Sequence, residues 1–393
     1  MTHRILFTLL LAVGGAFAGP PEYEFIPLPR LHPDWPSIPG APNERRQTSG
    51  WATTPDLPND RAVIWDIAPD NSATVTDIGL VAGRRMFGRG CNNHGHMVGF
   101  SWITGDGDYA FKWTGGSPVE LPNAFDTLGT GTFHSFAIRI NDAGYVVGAA
   151  CDNANANLGP WAAVVWEPDG TMHDLGTLGG EWSFGYDINA RNAVAGVSEI
   201  ELGSFGSRGF RWDPGTGIME QLDLLPVVGH ISGAGNGINL FGDVAGASSP
   251  RLGASGPGTL GVIWYADGTM RQLDPVAVAG AADLAAIAWG INDAGWVSGT
   301  SYAGTFPAWS NRPVLWTPDG MTIDLLPFLP AGATRGGSAG ISNTGWIAGS
   351  YLEPGVNLPR AYVLRPTPAT QVLMLLDQVE RLDLGRIGHA LDA

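Results

Sequence analysis

Ile140-Asn141-Asp142-Ala143-Gly144-Tyr145-Val146-Val147-Gly148 is the fullest copy of a phrase that occurs seven times in this chain of 393 residues. Its Asn position holds Asn43, Asn92, Asn141, Asn189, Asn239 and Asn292, with Ser342 in the last copy. The closing glycine falls at Gly50, Gly99, Gly148, Gly196, Gly246, Gly299 and Gly349, so successive copies lie 48 to 53 residues apart. A fixed period of this size marks a repeat architecture, which constrains shape far more than activity.

Each repeat spells four extended segments. The first ends in Ile-Asn and the second is the Val-Val-Gly segment. The third ends in Trp, as in Ala162-Ala163-Val164-Val165-Trp166, and the fourth carries Asp-Leu-Gly or a variant. β-Branched and aromatic enrichment between turn residues argues strand. Asn141-Asp142-Ala143-Gly144 suits a tight hairpin, and Pro168-Asp169-Gly170 suits a second one. Four strands joined this way make an antiparallel meander. Its third strand is apolar at successive positions, so it needs cover on both faces, which stacked neighbouring sheets provide.

The chain ends carry complementary halves of a repeat. Phe25 to Leu31 matches a fourth strand, while Arg360 to Leu364 matches a third strand with no fourth strand after it. Joining them predicts an all-β fold: a seven-bladed β-propeller closed by an N-terminal strand in the last blade, with no unpaired terminal sheet. The expected division is a secretory signal over 1–18, the propeller over 19–366, and a linker with a short C-terminal amphipathic helix over 367–393. On that helix Val372, Leu375, Leu376, Val379 and Leu382 share one face.

Tyr109-Ala110-Phe111-Lys112-Trp113, Asp174-Leu175-Gly176-Thr177-Leu178-Gly179-Gly180 and Ile291-Asn292-Asp293-Ala294-Gly295 resemble the HAF repeat of bacterial extracellular proteins. The resemblance covers roughly residues 22 to 366. It implies an exported repeat protein, implies no defined activity, and supplies no catalytic residues to carry over.

Arg4 followed by the apolar run Ile5 to Phe17 and the small-residue site Ala16-Phe17-Ala18 reads as a signal peptide cleaved near Ala18. The expected location is therefore secreted or periplasmic, and no later run has the length of a transmembrane helix. A net charge of −16 repels phosphate backbones, which argues against a nucleic-acid partner. Cys91 and Cys151 permit a disulfide in an oxidising compartment, but Cys91 fills the apolar Ile position, where a buried thiol serves equally. His94 and His96 lack a third ligand nearby, so no metal and no cofactor are expected.

Strand order makes the two faces of the wheel unequal. The long, variable loops, among them Cys151 to Pro160 and Thr300 to Asn311, fall on one face, the usual place for recognition. Candidate binding residues there, and where the first strands begin, are Trp51, Trp102, Trp182, Tyr302, Trp309, Tyr351, Arg85 and Arg335. Aromatic rings beside carboxylates and amides suit sugars, whose apolar face stacks while hydroxyls bond to the polar groups. His134 with Glu181 or Asp283 is the catalytic candidate, as an acid–base set at the channel mouth. Two residues before the repeat Asn most copies are small, but Arg139 and Asp187 stand there in consecutive repeats and are expected to pair beside the axis. The expected function is a secreted non-enzymatic propeller that binds a protein or polysaccharide through its long-loop face. The alternatives are an extracellular glycan-acting hydrolase or lyase, and a structural envelope protein.

Overall fold

The computed structural model describes residues 19–391, apart from 57–59, 104–106, 126–133, 152–159, 203–205, 252–256, 280, 282–283, 305–309 and 357. The signal segment through Ala18 therefore lies outside the described residues. The fold is all-β, built of four-stranded antiparallel sheets, with one long helix at the C-terminus.

Repeat three shows the plan. Its strands are His134–Ile140, Val146–Cys151, Ala162–Trp166 and Met172–Asp174, each antiparallel to the next. Gly144 closes the first hairpin at φ 89°, a left-handed conformation that other residues enter at a cost. Repeats four and five share one eight-stranded sheet, but only a single parallel bridge, Ser207 with Ser232, joins their two meanders. The N-terminal strand Tyr23–Pro27 runs antiparallel to the C-terminal strand Pro359–Pro366, placing Phe25 opposite Leu364. It thus completes the sheet begun by Gly336–Ile341 and Ile347–Leu352.

The apolar core lies between repeats rather than inside them. Val147, Ala163 and Val165 of repeat three pack with Ile188, Val194 and Phe210 of repeat four. Trp65 and Val63 of repeat one pack with Trp346, Ala348 and Val363 of repeat seven. Trp65, Trp166 and Trp316 are fully buried. Their indole N–H groups donate to Pro29, Pro122 and Asp274 carbonyls at 2.6–2.7 Å, tying each third strand to the segment that enters its repeat.

Every first strand carries a β-bulge at the same place, for example between Ala137 and Arg139 and between Gly185 and Asp187. The bulge aims the Phe136 carbonyl at Gly148, where any Cβ would collide with it. The same clash awaits a Cβ at Gly99 or Gly246, which accounts for the glycine that closes each phrase.

The repeat asparagine links neighbours. Asn141 Oδ1 accepts the Tyr145 N–H of its own turn at 3.1 Å, while its Nδ2 donates to the Asn189 carbonyl of the next repeat at 3.0 Å. The same forward bond runs from Asn43 to Asn92, Asn92 to Asn141, Asn189 to Asn239, Asn239 to Asn292 and Asn292 to Ser342, all at 2.8–3.3 Å. Ser342 is too short to continue the belt. Glu44 of repeat one takes over, accepting the N–H groups of Asn343 and Thr344.

The helix, here α1 (Pro368–Leu391), lies against the asparagine turns. Met374 is buried and faces Gly345, the Trp296 indole donates to Asp377 at 2.7 Å, and Arg381 pairs with Asp243. The docked stripe is therefore Met374, Asp377 and Arg381. The expected apolar face is turned outward in part: Leu375, Val379 and Leu382 are exposed. The helix meets an apolar cluster through Met374, which packs with Ala294, Trp296 and Leu364, and polar groups through Asp377 and Arg381. Among the described residues no helix is long and apolar enough to cross a membrane.

Candidate functional site

Two sets of first-strand positions come together from repeat to repeat. Two residues before the repeat Asn, successive backbones approach so closely that a Cβ at Gly237 or Gly290 would press on the next first strand. A Cβ at Gly340 would press on Ala41, across the junction between the last repeat and the first. Here Arg139 and Asp187 form the expected pair, Nε to Oδ1 at 3.8 Å. The Asp187 carboxylate also accepts the N–H groups of Ile188 and Ile238 at 3.0 and 2.9 Å. Burial pushes this carboxyl up, and Arg139 with the two amides pulls it back. These residues and the turn ends enclose a cavity of about 220 Å³.

Three residues before the Asn, the bulge presents a second set: Gly40, Arg89, Ile138, Tyr186, Asn236, Trp289 and Ala339. All seven line one cavity of about 500 Å³, together with Trp51. The volume falls in the range of about 300–1,000 Å³ that small-ligand sites occupy. The Arg89 guanidinium reaches solvent in this cavity, 5.5 Å from the centre of the Phe100 ring. Desolvation by the surrounding walls, and then Arg139, push its pKa down, while Tyr186 acts the other way. Of the residues lining this cavity, Trp51 and Arg139 were singled out from the sequence. The missed residues carry a readable signal, since this is a first-strand position at which the seven copies disagree in chemistry. The bulge that turns it inward leaves no mark in a single repeat.

At the opposite end of the first strands, third-strand starts latch onto the next repeat. Arg85 is ion-paired through two nitrogens to buried Asp60, whose other oxygen takes the Thr53 hydroxyl at 2.8 Å. The same guanidinium sits 5.0 Å from the centre of the half-exposed Trp102 ring. His134 occupies the position of Arg85 one repeat later, and its Nδ1 lies 2.8 Å from Asp108 Oδ2. Burial raises the Asp108 carboxyl and His134 opposes that shift. Glu181, by contrast, is exposed and offers its backbone N–H to Glu199. The partner of His134 is thus Asp108 rather than Glu181. Asp283, like Trp309, lies outside the described residues.

The remaining aromatics pack more than they present. Trp51 meets Phe87 edge-on at 5.7 Å, opening a row through Phe100, Phe136, Trp161 and Phe184 that crosses four repeats. Trp182 joins its end at 6.1 Å from Phe184. Tyr302 is half-buried beside Ala247 and Ile287, and desolvation raises its phenol. Tyr351 meets Phe25 edge-on at 5.7 Å, over the junction of the chain ends. Arg335 is half-buried at the start of the seventh first strand and has no carboxylate partner among the described residues.

No disulfide joins the two cysteines. Cys151 is a buried thiol, and Cys91 lines the smaller cavity with its thiol pushed up to about 11 by burial. The His94 and His96 rings lie 5.7 Å apart. Among the described residues no group of three or more His, Cys, Asp or Glu is placed to hold a metal ion.

No protein-family model matches the chain, and no curated protein matches it. Among solved structures it is similar to TolB from Acinetobacter baumannii, at 12% identity and a TM-score of 0.44 over 71% of this chain and 63% of that one. A puromycin-hydrolysing peptidase of Mycobacterium tuberculosis aligns with a TM-score of 0.48 at 12% identity, over 91% of this chain and 53% of that one. YCF48, in a structure bound to D1 peptide, aligns with a TM-score of 0.40 at 13% identity, over 87% and 96% of the two chains. The chain thus spans less than two thirds of the first and second of these proteins.

Proposed function

We propose that the chain is an exported, non-enzymatic seven-bladed β-propeller of the HAF-repeat type, cleaved near Ala18, that binds a protein or polysaccharide through its long-loop face. Closure of the wheel is supported by the asparagine belt, by Glu44 reaching the seventh repeat, and by the shared core of repeats one and seven. Recognition rests on the rim group of Trp102, Arg85 and Asp60. A half-exposed ring is held against a guanidinium that a buried carboxylate fixes. Such a group offers a rigid apolar face beside charge, with little side-chain entropy left to lose on binding.

A screen against immobilised glycans, together with capture of proteins from the native envelope by the full chain, tests this reading. Trp102→Ala is expected to abolish capture while leaving the melting temperature within a few degrees, because the ring is half-exposed. Retained capture by that variant would exclude the rim as the recognition surface.

The enzymatic alternative has one observation behind it, the His134–Asp108 pair. Its place in the repeat matches Arg85–Asp60, which supports a latch between blades rather than an acid–base set. Product release from a glycan that His134→Ala abolishes, with the fold intact, would favour catalysis instead.

A further inference from the structure

The two axial rings differ in how their charge is balanced. Arg139 is matched by Asp187, whereas Arg89 has no carboxylate partner among the described residues. A protein of net charge −16 therefore holds one uncompensated guanidinium facing its 500 Å³ axial cavity. Long-range attraction to the acidic surface does not neutralise it locally, because screening confines charge interactions to roughly 10 Å. A bound anion would.

The walls say more about that anion. Trp51, Tyr186 and Trp289 contribute rings, so the ligand has an apolar face to stack. The Trp289 indole is already committed to Thr300 Oγ1 at 3.1 Å, which fixes that ring in place. Asn236 donates its Nδ2 to the Ala288 carbonyl at 2.8 Å. This bond orients the amide and leaves its oxygen as an acceptor with no donor among the described residues. An acceptor in the wall calls for a hydroxyl on the ligand. A planar aromatic acid would satisfy the rings and Arg89 but leave that oxygen orphaned.

We propose that the axial cavity binds one hexuronic-acid residue, free or as a chain end. Its carboxylate pairs with Arg89, its ring packs on the aromatic wall, and a hydroxyl donates to Asn236. This site is separate from the rim group, because Trp102 and Arg85 do not line the cavity, so either can fail alone.

Titration calorimetry of the full chain with D-galacturonate, D-galactose, acetate and trigalacturonate tests the assignment. Galacturonate is expected to bind at least about tenfold more tightly than galactose or acetate, each of which lacks half of the recognition. Arg89→Gln should weaken galacturonate by roughly 10- to 100-fold, the effect of losing a charged hydrogen-bond partner. The galactose affinity should stay unchanged. Trp289→Ala should weaken both sugars, and Trp289→Phe should restore most of the loss. Thermal melts of each variant verify folding. Trigalacturonate binding as tightly as the monomer identifies a chain end, and exclusion of the trimer identifies a free sugar acid. Absence of galacturonate binding by the wild type, equal binding by Arg89→Gln, or acetate matching galacturonate would each overturn the proposal.

Discussion

Two rings of residues sit three positions apart on the same strands and follow opposite rules. At the repeat Asn, six of seven copies are identical, and each side chain makes the same forward bond to the next repeat. Three residues earlier, Gly, Arg, Ile, Tyr, Asn, Trp and Ala each appear once. The first ring is buried and hydrogen-bonded, and the second faces an open cavity. Identity recurs where every unit must solve the same satisfaction problem, and it lapses where the units share one space. A ring of seven different side chains is a poor way to hold a fold and a good way to build an asymmetric pocket.

The largest effect expected from this contrast is at Asn141. Asn141→Ala leaves the Tyr145 N–H without its acceptor and takes one donor from the Asn189 carbonyl. Buried orphans cost about 1–3 kcal/mol each, so a loss of roughly 2–4 kcal/mol is expected in urea unfolding. A loss below about 0.5 kcal/mol, typical of surface substitutions, would show the belt to be ornamental.

The belt also marks how far the sequence could be read. The period, the turn glycines and the split repeat at the chain ends were all visible, because each rests on local chemistry repeated often enough to stand out. Phe25 opposite Leu364 follows directly from that reading. What Asn141 does for its neighbour was not visible, since its partner is a backbone atom 48 residues away. The bulge was hidden for a related reason. It is specified by the close approach of Phe136 and Gly148 rather than by any residue that signals a bulge alone. Without the bulge, only the ring containing Arg139 and Asp187 could be placed on the axis, and Arg89, Asn236 and Trp289 went unnoticed. The docked side of the helix differs from the expected one because only Met374 enters an apolar cluster, while Asp377 and Arg381 meet an indole and a carboxylate that spacing alone does not reveal.

An intermediate effect is expected at the one place where the crowded ring carries charge. Arg139→Ala removes the cation beside Asp187, while the Ile188 and Ile238 amides remain. The pair is partly exposed, so the loss at neutral pH should lie between the surface and buried limits, roughly 1–2 kcal/mol. Its pH dependence has a definite sign. Burial raises the folded-state pKa of Asp187 above the unfolded value, so this group favours folding at low pH and that contribution is lost as pH rises through the folded pKa. Removing Arg139 raises the folded pKa further. The deficit of the variant should therefore be largest near neutrality and shrink as the pH falls through the raised folded-state pKa, above the ordinary carboxylate value. Urea titrations at pH 7 and pH 4 measure it, and a deficit that grows on acidification would contradict the pairing.

The smallest effect should come from Arg89, and its smallness is the sharpest statement of the comparison. The side chain has solvent access, no carboxylate partner among the described residues, and one ring contact, with Phe100 at 5.5 Å. Exposed cation–ring contacts contribute about 0.5–1 kcal/mol. Relief of repulsion from Arg139 and of the desolvation that depresses the Arg89 pKa offsets that loss in Arg89→Gln. The net change should stay within about 0.5 kcal/mol, the band of ordinary surface substitutions. A charged, partly enclosed residue that costs nothing to remove is being kept for something other than the fold. If Arg89→Gln instead destabilises as much as Asn141→Ala, the second ring is structural as well, and the division between a repeated frame and an unrepeated pocket does not hold.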